Sequence, residues 1–321
     1  MPPRQPPIST DKPNNDFIQP FLIDRSAIRG RLVRLETSVN NILRAHNYPL
    51  PVSLHLAEQL VLAALLSATL SDDGILTVQA KGDGPVRFIV VDVMAGGEIR
   101  GYAEVDEKAL EKLKSHGLRD VLGKGYLAVT LDQGGEAQRY QGIVELTGDT
   151  LSDAFRGYFL QSQQAEVMVH VVVKSPSKKD NTWRAGGIII ERIPVEGGKE
   201  AEFTLGGQDE LWGRTGLFMN SLKDTELLSP QVTPQNLLYR LFNEDGVWVT
   251  RLQTLKNGCR CSRDRVKRVL KSLSKKELLD SLDDKGKLTI HCQFCNKREL
   301  FTRADITRLF TKPKRRNVTK D

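Results

Sequence analysis

The four cysteines of this 321-residue chain fall in two close pairs, Cys259-Arg-Cys261 and Cys292-Gln-Phe-Cys295, separated by 30 residues. Pairs this tight let two thiolates from one turn point to a common centre, and two such turns complete a tetrahedral sulfur shell. That donor set suits zinc, a borderline-soft ion without a d-electron preference for another geometry. The pattern assigns one Zn2+ per chain to Cys259, Cys261, Cys292 and Cys295. A closed shell leaves no position for water or substrate, so the ion is structural or regulatory rather than catalytic. Buried free thiols rarely come as two pairs, and iron–sulfur clusters use other spacings. His291, beside the second pair, is expected near the shell and not in it. His46, His55, His116 and His170 are scattered without ligand spacing.

Arg260, Arg263, Arg265 and Lys267 flank the first pair. Cations at that range favour thiolate over thiol, and thiolates react with oxidants. An intact shell masks this reactivity; oxidation of one sulfur removes a ligand and weakens the rest. The residues alone leave two readings open. One is a permanent zinc finger whose arginines form a solvated face, the other a zinc module that unfolds on oxidation.

The elements that carry these sulfurs are set apart by charge. Residues 251–321 hold 21 Lys plus Arg against 8 Asp plus Glu, a balance of +13, within a chain whose formal net charge is +7. A boundary near residues 245–258 follows. At 39% hydrophobic and 27% charged, the composition is that of an ordinary globular protein. Residues 1–15 are proline-rich and polar, read as a disordered tail and not as a secretory signal. The apolar run Leu60–Leu70 is short for a bilayer span and reads as a buried core helix. A cytoplasmic protein without a membrane span is the expectation, a compartment in which cysteines serve metal binding or redox chemistry.

Residues 16–205 read as an α+β domain centred on a sheet. A helix over Val52–Leu70 ends at the turn Ser71–Gly74. Strand patterns follow at Ile75–Ala80, Val86–Met94, Ile99–Val105, Tyr126–Asp132, Gln138–Leu146, Val167–Lys174 and Gly187–Ile193, bounded by Gly, Asp or Pro. Helices are expected over Asp106–His116, capped by Asp106 and stopped by Gly117, and over Leu151–Gln164. Phe17–Val33 is ambiguous between strand and helix. After Pro194 the stretches EGGKE and LGGQDE read as a linker. Helical spacing then returns over Leu211–Leu228 and Thr233–Phe242. Residues 206–250 are thus a helical segment too short for its own core, which must lay Trp212, Leu217, Phe218, Leu237, Leu238, Leu241 and Phe242 on a neighbour. Residues 251–312 form the zinc-binding module, and 313–321 a basic tail.

GCRCSRDRVKRVLKSLSKKEL followed by HCQFCNKRELF resembles the C-terminal zinc module of the 33 kDa chaperonin family, the bacterial redox-regulated heat-shock holdases. GPVRFIVVD, IRGYAEV, GYLAVTLD, RYQGIVEL, YFLQSQQ, RAGGIIIERIP and LLYRLFNEDGVWV extend the resemblance over about residues 16–312. It implies a cytoplasmic, ATP-independent chaperone, inactive while reduced and zinc-bound. It further implies activation by oxidation through the disulfides Cys259–Cys261 and Cys292–Cys295, with zinc released. The helical linker would then unfold, client-binding surface would be uncovered, and the active form would be a homodimer. Glu299 stands where the family usually has an aromatic residue, which bears on module packing.

A zinc-ribbon nucleic-acid binder is the alternative, because the basic module and KPKRR would favour phosphate contacts. The module has few aromatic residues to stack on bases. The Cys292–Cys295 pair lacks the strand–loop–helix setting of a thiol oxidoreductase. With no Walker A loop, Gly-x-Ser-x-Gly elbow or paired-carboxylate cleft in the sequence, an enzyme is not expected.

Overall fold

The structure, a computed structural model, describes residues 15–23, 27–68, 70–71, 73–135, 138–193 and 205–311. The expected N-terminal tail (apart from Asn15), the EGGKE stretch and the basic tail lie outside the described residues. Two compact units are present, Met1–Gly258 and Cys259–Asp321.

The first unit begins with β1 (Phe17–Ile23), β2 (Ile28–Leu35), α1 (Thr37–Arg44) and α2 (Leu50–Ser67). Next come β3 (Ile75–Gly82), β4 (Val86–Met94), β5 (Glu98–Val105), α3 (Glu107–Leu110) and α4 (Leu118–Leu122). After them run β6 (Gly125–Asp132), β7 (Tyr140–Glu145), α5 (Leu151–Tyr158), β8 (Val167–Lys174) and β9 (Arg184–Arg192). The unit closes with α6 (Leu205–Asn220), α7 (Asp224–Leu227), α8 (Pro234–Phe242), β10 (Val247–Val249), β11 (Gln253–Thr254) and β12 (Lys256–Asn257). One sheet has the order β10-β1-β2-β9-β8, with β11 also on β1; the other has the order β12-β5-β4-β3-β6-β7. The pairings are antiparallel except β12 on β5.

Helix α2 lies between the sheets, packing against β2, β8 and β9 on one side and β3, β4 and β5 on the other. It is long and apolar enough to cross a membrane. Its apolar residues go all round the helix, and Leu56, Leu60, Val61 and Leu65 are fully buried in the main core. A helix apolar on every side needs neighbours on every side, which the two sheets provide.

Alternate residues of the first sheet serve two cores. Val33, Leu35 and Ile189 face α2, while Phe17, Phe21, Leu32, Ile188 and Ile190 face the helices that follow β9. On that outer face Leu227, Leu237, Leu238, Leu241 and Phe242 are buried with Met219 and Leu222. The helical segment after residue 205 does lie on a neighbouring sheet through Trp212, Phe218, Leu237, Leu238, Leu241 and Phe242, but Leu217, expected with them, points away and is 70% exposed. Burial on both faces also explains the ambiguity of Phe17–Val33: a doubly buried strand loses period-two alternation.

Several expectations are corrected. Asp106 does cap a helix, accepting the Ala109 amide at 3.1 Å, but the helix ends at Leu110. Bonds between residues three apart take over, and Gly117 opens α4 instead of stopping α3. LGGQDE starts a helix, because contacts of Leu211, Trp212 and Met219 in the second core outweigh the poor helix propensity of its glycines. Leu211–Leu228 breaks after Asn220, where buried Leu222 turns inward before α7.

The second unit contains α9 (Arg263–Leu270), α10 (Lys275–Asp280), β13 (Lys287–His291), β14 (Arg298–Thr302) and α11 (Arg303–Leu309). Strands β13 and β14 form an antiparallel hairpin. The unit's core has Leu270, Leu278, Phe301 and Ile306 buried, with Val266, Leu279, Leu282, Leu288, Ile290 and Leu309 partly buried against them.

Candidate metal centre

Cys259 and Cys261 precede α9 in a segment without regular secondary structure. Ser262 then caps α9 by accepting the Arg265 amide at 3.2 Å. Cys292 and Cys295 lie in the turn between β13 and β14. The Cys292 amide donates to the Lys297 carbonyl at 3.0 Å and the Asn296 amide to the Cys292 carbonyl at 2.8 Å. Asn296 takes the left-handed conformation, φ 54°, which asparagine tolerates better than most residues and which closes the turn.

The two pairs converge. Cys259 Sγ lies 3.6 Å from Cys292 Sγ, and Cys261 Sγ lies 3.4 Å from Cys295 Sγ. All four sulfurs are within 4.8 Å of one another. A tetrahedral shell with Zn–S bonds of about 2.3 Å places its sulfurs about 3.8 Å apart. The four-cysteine set therefore fits one ion of that size, and among the described residues the grouped ligand atoms are those of the four cysteines. His291 is instead exposed and meets Asn296 Oδ1 at 3.3 Å through Nδ1, buttressing the turn.

The electrostatics favour a cation. Burial pushes the Cys259 thiol up, but the Cys261 amide and hydrogen bonds from the neighbouring thiols outweigh it, bringing Cys259 down to about 7. Burial, followed by hydrogen bonding to Cys295 and Cys259 and the adjacent sulfur charge, pushes Cys261 up. Cys295 is also raised, first by burial, although the Lys297 amide opposes the shift. Sulfurs this close cannot all ionise without a compensating positive charge.

Three of the four basic residues expected to stabilise the thiolates, Arg263, Arg265 and Lys267, have other partners. Arg263 pairs with Glu299 at 3.2 Å and Asp305 at 3.6 Å and lies over the Phe301 ring at 4.4 Å. Arg265 donates to the Arg260 carbonyl, and Lys267 pairs with Asp264. A cation that does feel the sulfurs is Lys297, which the sequence reading passed over. Glu299 raises its pKa most, and the charges of Cys261 and Cys295 add to this. Its signal was its position two residues past the second pair. Glu299 also pairs with Lys297 at 3.2 Å. In place of an aromatic contact it thus forms an acidic bridge between Arg263 and Lys297.

A two-sheet α+β unit followed by a small four-cysteine module is the architecture of a chaperone class. Residues 16–302 match the family described as Hsp33 protein, and the chain belongs to that family. A 33 kDa chaperonin of Caulobacter vibrioides is 38% identical over 288 residues, covering 88% of this chain and 93% of the relative. One from Pseudomonas fluorescens is 37% identical over 304 residues, covering 94% and 95%. The crystal structure of a 33 kDa chaperonin, a heat shock protein 33 homologue from Thermotoga maritima, superposes with a TM-score of 0.75. It is 24% identical and covers 91% of this chain and 97% of its own, a likeness of fold. Membership supports a chaperone function, with unfolded client proteins as the binding partners.

Proposed function

We propose that this chain is a redox-regulated, ATP-independent holdase of the cytoplasm, with Cys259, Cys261, Cys292 and Cys295 holding one zinc ion in the resting state. The observation that carries this reading is the convergence of four sulfurs in a unit with four buried apolar side chains and six partly buried ones around them. A unit so small draws its stability from a bound ion. The ion when bound supplies the charge that lets four thiolates share one centre.

Oxidation acts on the sulfurs. Two thiolates join as a disulfide, giving an electron pair to hydrogen peroxide, which takes two protons from solvent and becomes two waters; a second peroxide converts the other pair. Following the family, the bonds formed are Cys259–Cys261 and Cys292–Cys295. Sulfurs in disulfides no longer ligate, zinc is lost and the module unfolds. Residues 206–250 act as the redox-sensitive linker: their release uncovers the apolar outer face of the first sheet, which holds unfolding clients and accompanies homodimerisation. This is an order-to-disorder switch without nucleotide chemistry.

The test measures zinc content and suppression of client aggregation, with and without peroxide, at mildly raised temperature and without ATP. Release of one zinc per chain together with suppression is the expected result. Zinc that stays, with no suppression, would instead leave a permanent finger and turn attention to nucleic-acid binding.

A further inference from the structure

The last residues before the first cysteine occupy two sheet edges at once. On β1, Val247, Trp248 and Val249 pair with Ile23, Leu22 and Phe21, and Gln253 and Thr254 with Ile18 and Phe17. Lys256 and Asn257 then cross to the other sheet and pair in parallel with Glu98 and Ile99 of β5. Leu255, at the crossing, is 2% exposed and sits in the main core.

The hold is mostly through the backbone. The Leu255 amide donates to the Asp16 carbonyl at 2.8 Å, Lys256 to Gly97 at 2.9 Å and Gly258 to Ile99 at 3.1 Å. Where Pro20 has no amide to give, the Gln19 side chain donates to the Thr250 carbonyl at 2.8 Å. Gly97, at φ 82°, comes so close that a Cβ there would lie 2.2 Å from the Thr254 carbonyl oxygen. The cradle fits a strand and nothing bulkier at that point. The side chains of Gln253, Thr254, Lys256 and Asn257 are exposed, so Leu255 is the one deep anchor of the crossing.

We propose that residues 247–258 are a resident strand that oxidation displaces, and that the vacated edges of β1 and β5 receive an extended segment of an unfolding client by β-augmentation. The proposal rests on the redox-holdase reading, since displacement follows loss of the adjoining module. Main-chain pairing gives affinity that depends little on sequence, and a socket for one side chain adds a preference. That combination suits a chaperone for many clients. The resident strand names the preferred ligand: an apolar residue for the Leu255 socket, followed by a cation, as Lys256 meets Glu98 at 2.9 Å. In the resting state the same strand keeps two sheet edges from pairing indiscriminately.

The experiment uses the full chain and a fluorescent peptide of residues 247–258. Anisotropy is read against the reduced zinc-bound chain and against the peroxide-treated chain, alongside suppression of client aggregation. A second peptide carries N-methyl groups on the Leu255 and Lys256 amides, leaving every side chain in place. The expected result is at least tenfold tighter binding to the oxidised chain, competition with client, and at least tenfold loss on N-methylation. Equal binding of the two peptides would overturn strand pairing in favour of side-chain adhesion. Suppression of aggregation without peptide binding would overturn the edge assignment while leaving the holdase reading intact. An oxidised chain that suppresses nothing overturns the holdase reading, and this proposal with it.

Discussion

The region around α2 and the cysteine module solve the stability problem in opposite ways. Helix α2 is enclosed by two sheets, and Leu56, Leu60, Val61 and Leu65 lose all contact with water. The module has Leu270, Leu278, Phe301 and Ile306 at its centre, and its sulfurs converge where a larger domain would place more side chains. Apolar burial responds to temperature and denaturant but is indifferent to oxidants. A thiolate shell ties folding to thiol chemistry, with structural zinc contributing about 10–16 kcal/mol in small modules at neutral pH. In the proposed reading, the region with the smaller apolar core is the one fit to sense a change in redox state.

The largest effect should come from removing the metal. Chelation under reducing conditions is expected to abolish hydrogen-exchange protection over α9–α11 and leave β3–β6 protected. Retained protection in the metal-free module would show that its apolar core suffices and would erase the contrast. Cys259→Ser should act in the same direction, lowering zinc affinity on the order of 100-fold or more, since even outer partners of metal ligands cost 10–100-fold.

Paired truncations sharpen the contrast at the next scale. Leu60→Ala should lower global stability by about 2–5 kcal/mol and leave zinc bound. Phe301→Ala should cost about 3–5 kcal/mol within the module alone, lost also with the Arg263 contact at 4.4 Å, and appear as weaker zinc binding. Denaturant midpoints and competitive zinc titration separate the two; identical phenotypes would mean that the module is not an independent folding unit.

What the sequence made legible follows the same division. The gathering of the four cysteines was readable because residue type and spacing carry it. Helix α2 and most strands were readable because periodicity is local. Helix α1 was missed because its N-terminus is capped from afar: Asp16 accepts the amides of Glu36, Thr37 and Ser38 at 3.2, 2.9 and 2.8 Å. No window of sequence contains both partners. The short helix after Asp106 was overextended because its cap is local while its end is set by burial of Leu118, Val121 and Leu122. Around the sulfurs, the sequence showed which cations were present but not their partners, so Lys297 was passed over while Arg263 and Arg265, which bond elsewhere, were chosen.

A smaller effect concerns the attachment of the helical segment. Arg34, 3% exposed, donates to the carbonyls of Leu227, Val232 at 2.6 Å and Glu226 at 3.1 Å. Burial brings its pKa down to about 10, well above neutrality, so it stays charged and the carbonyls solvate it. Hydrogen bonds to a charged group are worth about 1.5–3 kcal/mol, so Arg34→Ala should loosen the segment by about 3 kcal/mol. Exchange over α7 and α8 should rise and the peroxide needed for activation should fall, with zinc affinity unchanged. Unaltered exchange in that segment would remove Arg34 from the switch.

The smallest expected effect is a pH dependence inside the module. Glu277 is held below the ordinary carboxylate range by the Ser274 amide and hydroxyl, and Asp305 by those of Thr302; each completes a capping box, on α10 and α11. A carboxylate with a depressed folded pKa adds stability that is complete above its unfolded value. The ordinary values here are 4.5 and 3.8, so the contribution is intact at pH 6 and is lost as the pH falls through them to the folded values. Protonation of ligating sulfurs shifts stability in the same direction, so the total acid response does not isolate the caps. Glu277→Gln does, because glutamine keeps the capping geometry and removes the titration. Backbone chemical shifts of α10, followed from pH 6 to pH 3 in both chains, should fray more steeply in the unaltered one. Parallel curves would assign the acid response of the module to its sulfurs alone.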